Sequence, residues 1–123
     1  MSECELILDV LARFIEDMHG TEEVSVLRED GTIICRFPEK SENAVIFTAD
    51  LLSEIGEDMP CADMGELTGL ILRGKDHFAA YYRIPDMDAV FGLYGKSGVN
   101  FGLLNSASRS VCCKIREILY VPE

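Results

Sequence analysis

Hydrophobic positions fall into two rhythms along this chain. Between Cys4 and His19, the residues Ile7, Val10, Leu11, Phe14, Ile15 and Met18 recur at helical spacing, and Asp9, Arg13, Glu16 and Asp17 fill the far side. Such a stripe predicts an amphipathic helix lying on a sheet. Gly20 stands just past its end, and His19 takes the place where a cation meets the helix's negative end. The rhythm then shortens to two. Glu23 to Arg28 alternates around Val24, Val26 and Leu27, and Asp30-Gly31 supplies a hairpin turn. Thr32 to Phe37 returns as a second strand, which Pro38 stops.

Helical spacing resumes after Ser41, a capping residue, and lasts to about Asp58. The stripe of Ala44, Val45, Phe47, Thr48, Leu51, Leu52, Ile55 and Met59 is wider than a simple surface helix requires. Beside it runs a seam of small residues, Ala49, Ser53 and Gly56. The seam has two readings. In one, Gly56 merely starts the helix end. In the other, small side chains let a second backbone approach, so that the helix packs on two sides. Ile46 points away from the stripe, among Asp50, Glu54 and Glu57, which gives an apolar anchor in an acidic rim.

The stretch from Met64 to Tyr94 then predicts a three-stranded meander. Glu66 to Leu72 is its first strand and Arg73-Gly74-Lys75-Asp76 the turn. His77 to Ile84, with Phe78, Tyr81 and Tyr82, is its second strand. Pro85-Asp86-Met87-Asp88 turns the chain into a third, Ala89 to Tyr94, which ends at Gly95. The outer strand of this meander carries neither charge nor proline over Leu67 to Leu72. An edge so unprotected invites pairing with another chain. Asn100 caps a last helix whose Phe101, Leu104, Ala107, Val111, Ile115, Ile118 and Leu119 share a face. The order helix, two strands, helix, three strands, helix predicts an α+β sandwich with an antiparallel sheet between helices. Residues 1–123 read as a single domain.

Composition narrows the function. A chain 48% hydrophobic and 27% charged is globular, and its formal charge of −11 opposes binding to nucleic acid or to anionic lipid. The acidic start Met1-Ser2-Glu3-Cys4-Glu5 is no signal peptide, and no apolar run is long enough to span a membrane. Five cysteines without regular spacing suggest thiols in a reducing cytoplasm.

Candidate chemistry is sparse. Gly95-Lys96-Ser97 sits between a strand and a helix, but a phosphate loop needs a glycine where Val90 stands. Cys112 and Cys113 are helical neighbours whose side chains diverge by about 100°, a poor start for chelation. Cys112 falls at the edge of the apolar stripe and Cys113 on the polar side. The histidines, His19 and His77, share no element with a cysteine. No nucleophile elbow is present. The expectation is a protein with no catalytic residues, no cofactor and no metal.

Three segments, taken together, resemble the roadblock family of dynein light-chain relatives. They are Val24-Ser25-Val26-Leu27-Arg28-Glu29-Asp30-Gly31-Thr32-Ile33-Ile34, the long helix with Leu51-Leu52, and Gly98-Val99-Asn100-Phe101-Gly102-Leu103-Leu104. The resemblance runs from Leu6 to Leu119 and implies a profilin-like/roadblock sandwich of order α-β-β-α-β-β-β-α. Its five-stranded antiparallel sheet would have the third strand as a free edge. It also implies a dimer in which third strands pair edge to edge and second helices pack side by side. Val45, Ala49, Leu52, Ser53, Gly56, Leu67, Gly69 and Ile71 would then form the interface. Such proteins are non-enzymatic platforms for small Ras-like GTPases or adaptors, with the paired second helices as the docking surface. Here that surface corresponds to Ile46, Asp50, Glu54 and Glu57. The alternative is a small-ligand-sensing domain of profilin- or PAS-like shape, which requires an apolar pocket with convergent polar groups. The inward faces show no surplus of polar residues to supply them.

Overall fold

The structure, a computed structural model, describes residues 2–28, 32–38 and 68–120. Ser2 caps the N-terminal helix, Glu3–Asp17, by accepting a hydrogen bond from the Glu5 amide at 3.2 Å, and Glu3 and Glu5 complement the positive end of the helix. Ile7, Leu11 and Phe14 are buried along it, as the stripe requires. The helix closes at Met18, so His19 lies beyond the last turn. Gly20 adopts a φ of +98°, the left-handed conformation glycine takes without cost.

The sheet has five antiparallel strands: β1 (Thr21–Arg28), β2 (Ile33–Phe37), β3 (Gly69–Arg73), β4 (His77–Arg83) and β5 (Ala89–Lys96). Their order is β2-β1-β5-β4-β3. The Asp30-Gly31 turn lies outside the described residues, but the Arg28 amide donates to the Thr32 carbonyl at 2.8 Å and closes the ladder below it. Ile84, Pro85, Asp86 and Met87 form a turn in which Met87 N–H reaches the Ile84 carbonyl at 3.3 Å. Asp86 has a φ of 61° there, the positive value that a type II turn demands at its third position, and proline suits the second position of such a turn. The Asp86 carboxylate accepts an ion pair from Arg116 at 2.9 Å, tying the turn to the C-terminal helix.

That helix, Phe101–Leu119, is capped by the Asn100 side chain, which accepts from the Leu103 amide at 3.1 Å. Both described helices pack on one face of the sheet, around Val24, Val26, Phe91, Leu93, Phe78 and Ala80. Phe14 meets Phe91 edge to face at 5.4 Å, a geometry that adds to the area buried. The opposite face carries Tyr81 and Val90, with Leu70 and Ala79 against them. Tyr81 and Tyr82 therefore point to opposite sides, as alternation requires. The helix expected over 41–58 lies outside the described residues.

Three expectations need correction. β5 does not end at Gly95 but continues to Lys96. A side chain at Gly95 would collide with the Gly20 carbonyl, and would lie 2.9 Å from both Thr21 Cα and Phe78. Glycine there permits close strand approach rather than a turn. β1 begins at Thr21 and is buried on both faces rather than alternating. Finally, the interior is more polar than the pattern suggested, because Thr21, Glu23, Ser25 and Ser108 are all buried.

Candidate functional site

Among the described residues β3 hydrogen-bonds to β4 alone, which leaves its other side open. The Arg83 amide donates to the Thr68 carbonyl, and the Gly74 amide to the His77 carbonyl, both at 2.8 Å. In an antiparallel ladder, hydrogen-bonded and non-bonded pairs alternate. With Leu70 opposite Tyr81 and Leu72 opposite Ala79, the even-numbered residues bond inward. Gly69, Ile71 and Arg73 therefore hold their N–H and C=O groups outward along the edge. Ile71 is 38% exposed and Leu72 40%, one on each face of this strand, so among the described residues the edge is apolar as well as unpaired.

The described strand takes in Arg73, beyond the expected end at Leu72, so it does carry one charge, while Glu66 and Leu67 of the expected strand lie outside the described residues. Arg73 places its guanidinium 4.2 Å from the centre of the Phe101 ring, which holds that charge toward the C-terminal helix rather than along the edge. The other edge, β2, is better guarded. The N-terminal helix lies against it, Arg36 is on it and Pro38 follows it.

Beside β3 a groove of about 900 Å³ separates the strand from the C-terminal helix, lined by Gly69, Ile71, Tyr82, Asn105, Arg109 and Cys112 among others. At its side the Tyr82 and Ser108 hydroxyls are buried, close enough for Ser108 to draw the phenol's pKa down, yet neither completes a hydrogen bond among the described residues. Burial pushes the Tyr82 pKa up, and outweighs the lowering by Ser108 and Arg109. Burial likewise pushes the Cys112 thiol up to about 12, with neighbouring Cys113 adding to it. Cys112 is thus a core residue with an inert thiol, while Cys113 faces solvent. The apolar stripe of the last helix left out Ser108 and set Cys112 at its edge, yet both continue a buried line from Leu104 at four-residue steps. That spacing was the available signal.

Of the residues expected at a dimer interface, Gly69 and Ile71 fall on the open edge with outward backbone groups. Val45, Ala49, Leu52, Ser53, Gly56 and Leu67 lie outside the described residues, as do Ile46, Asp50, Glu54 and Glu57 of the expected partner surface. Among the described residues, no three His, Cys, Asp or Glu side chains cluster to hold a metal ion, and no helix is long and apolar enough to cross a membrane.

No protein-family model matches the chain, and no curated protein matches it in sequence. Solved structures do match in shape. A Roadblock/LC7 domain from Streptomyces avermitilis superposes with a TM-score of 0.74 at 10% identity, covering 89% of this chain and 94% of that one. MglB of Myxococcus xanthus gives 0.78 at 14% identity, with 91% and 93% covered. LokiProfilin1, solved with rabbit actin, gives 0.61 at 18%, with 97% and 98% covered. The chain has the roadblock fold, an α+β architecture that profilin approaches less closely.

Proposed function

We propose that this chain is a non-enzymatic, cytoplasmic adaptor that forms a homodimer and binds a small Ras-like GTPase. The observation that carries the reading is the open β3 edge in a roadblock fold. Gly69, Ile71 and Arg73 offer backbone donors and acceptors to a second copy, and a two-fold axis would join two five-stranded sheets into one. Segment 41–58 would pack against its counterpart through Val45, Ala49, Leu52, Ser53 and Gly56, with Leu67 extending the paired edge. Ile46 with Asp50, Glu54 and Glu57 would then face the GTPase, their acidity steering a basic patch on it.

The test is capture of purified Ras-like GTPases, loaded with GDP or a GTP analogue, on the immobilised protein. Wild type should retain a GTPase, and Ile46→Asp should lose it while keeping fold and mass. Retention by Ile46→Asp would move the site elsewhere, and no capture in either nucleotide state would remove the GTPase reading.

The groove between β3 and the C-terminal helix supports a second reading, a small-ligand sensor. Tyr82, Asn105 and Arg109 supply polar groups beside the apolar Ile71 and Cys112. The two readings separate by mass, because edge pairing engages Gly69 and Ile71 on the groove's rim. A chain that stayed monomeric and gained thermal stability from a small molecule would favour the sensor.

A further inference from the structure

Cys4 and Cys35 come together from distant parts of the sequence. Cys4 is exposed in the first turn of the N-terminal helix, and Cys35 is 4% exposed in the middle of β2. Their sulfurs lie 3.2 Å apart across 31 positions, and the Cys35 thiol also reaches the Cys4 carbonyl at 3.6 Å. Both are thiols here. A disulfide needs a sulfur separation of about 2.0 Å, so closure requires a shift of about 1.2 Å, within reach of side-chain rotation at a helix end.

We propose that Cys4 and Cys35 form a reversible disulfide, a modification site that clasps the N-terminal helix to the outer strand β2. The co-reactant is a low-molecular-weight disulfide, RSSR. Cys4 is the sulfur it can reach. The Cys4 thiolate attacks one sulfur of RSSR, expels RS⁻, which takes up the proton Cys4 lost, and leaves Cys4 as a mixed disulfide. The Cys35 thiol, already in contact, loses its proton and attacks the Cys4 sulfur. The Cys4–Cys35 bond forms, the bond from Cys4 to the small thiol breaks, and a second RSH leaves. Two protein thiols are oxidised and one RSSR is reduced to two RSH, so the exchange balances without another oxidant. Excess small thiol runs it backward. β2 is the edge opposite β3, so the clasp forms without disturbing the open strand.

The experiment incubates the full chain with oxidised glutathione, blocks remaining thiols by alkylation and digests with trypsin without reductant. Cleavage after Arg13, Arg28 and Arg36 should yield residues 1–13 joined to residues 29–36, two hydrogens lighter than the separate peptides. Closing a loop of this length should raise the melting temperature by roughly 10 °C, reversed by dithiothreitol. Cys4→Ser, an exposed change that leaves the core alone, should lose both the linked peptide and the rise. A mixed disulfide that stays on Cys4 would overturn the proposal. So would linkage of Cys4 to Cys61, Cys112 or Cys113, or a Cys4–Cys35 bond that leaves the melting temperature unchanged.

Discussion

Replacing Gly95 with alanine adds one methyl group, and the structure sets what that methyl meets. A Cβ at this position would fall 2.9 Å from Thr21 Cα and 2.9 Å from a Phe78 ring carbon, and nearer still to the Gly20 carbonyl oxygen. Two of those three neighbours are backbone, so a rotamer change cannot relieve the collision. β1 and β5 must part, and the Lys96 N–H to Gly20 carbonyl bond of 2.8 Å is the first casualty. Overpacking costs about 1–3 kcal/mol and a lost backbone hydrogen bond about 1 kcal/mol more. The sum of about 2–4 kcal/mol is a large share of the roughly 5–15 kcal/mol that holds a domain folded. Gly92→Ala should cost about 1 kcal/mol, because its nearest neighbour is the Ser25 hydroxyl at 3.1 Å rather than backbone. Gly98→Ala meets nothing within 4 Å and should change stability by less than about 0.5 kcal/mol. Urea unfolding followed by circular dichroism reads all three. A Gly95→Ala loss below about 1 kcal/mol, or no greater than that of Gly92→Ala, would refute the close approach of β5 to β1.

Other perturbations read other parts of the fold. The Cys112 thiol ionises near 9.0 when unfolded and only near 12 in the core, so above pH 9 the folded state keeps a proton the unfolded chain has lost. Stability should therefore fall as pH rises, by about 1.4 kcal/mol between pH 8 and 10, and Cys112→Ala should remove that part of the slope; equal slopes in urea titrations would contradict it. On the proposed dimer, Ala49→Leu and Gly56→Leu should weaken association, each by about 1–3 kcal/mol. Ala107→Leu, against the core of the same subunit, should instead lower the unfolding midpoint. Sedimentation equilibrium separates the two effects, and equal dissociation constants for all three variants would remove the helix seam from the interface.

Much of this was legible in the sequence. The N-terminal stripe, the Asn100 cap, the Pro85-Asp86 turn and the meander each follow from short-range rules, and local chemistry decides them. What escaped depended on tertiary neighbours. Gly95 reads as punctuation until β1 is placed against it. Glu23 and Ser25 read as the polar positions of an alternating strand until β1 turns out to lie between β2 and β5, buried on both faces. Ser108 and Cys112 extend a buried line that a hydrophobic pattern skips, because serine breaks it. The open edge was visible as an uncharged run, yet which backbone groups point outward came only from the register with β4.

The dimer is the central claim, and the mass of the chain in solution tests it most directly. Light scattering at micromolar concentration should give twice the chain mass of 13.7 kDa. Ile71→Pro removes an outward N–H while leaving the inward bonds of Leu70 and Leu72 in place, so it should give a folded monomer with an unchanged circular dichroism spectrum. A wild-type mass of one chain, or a dimer that Ile71→Pro leaves intact, would contradict pairing through β3.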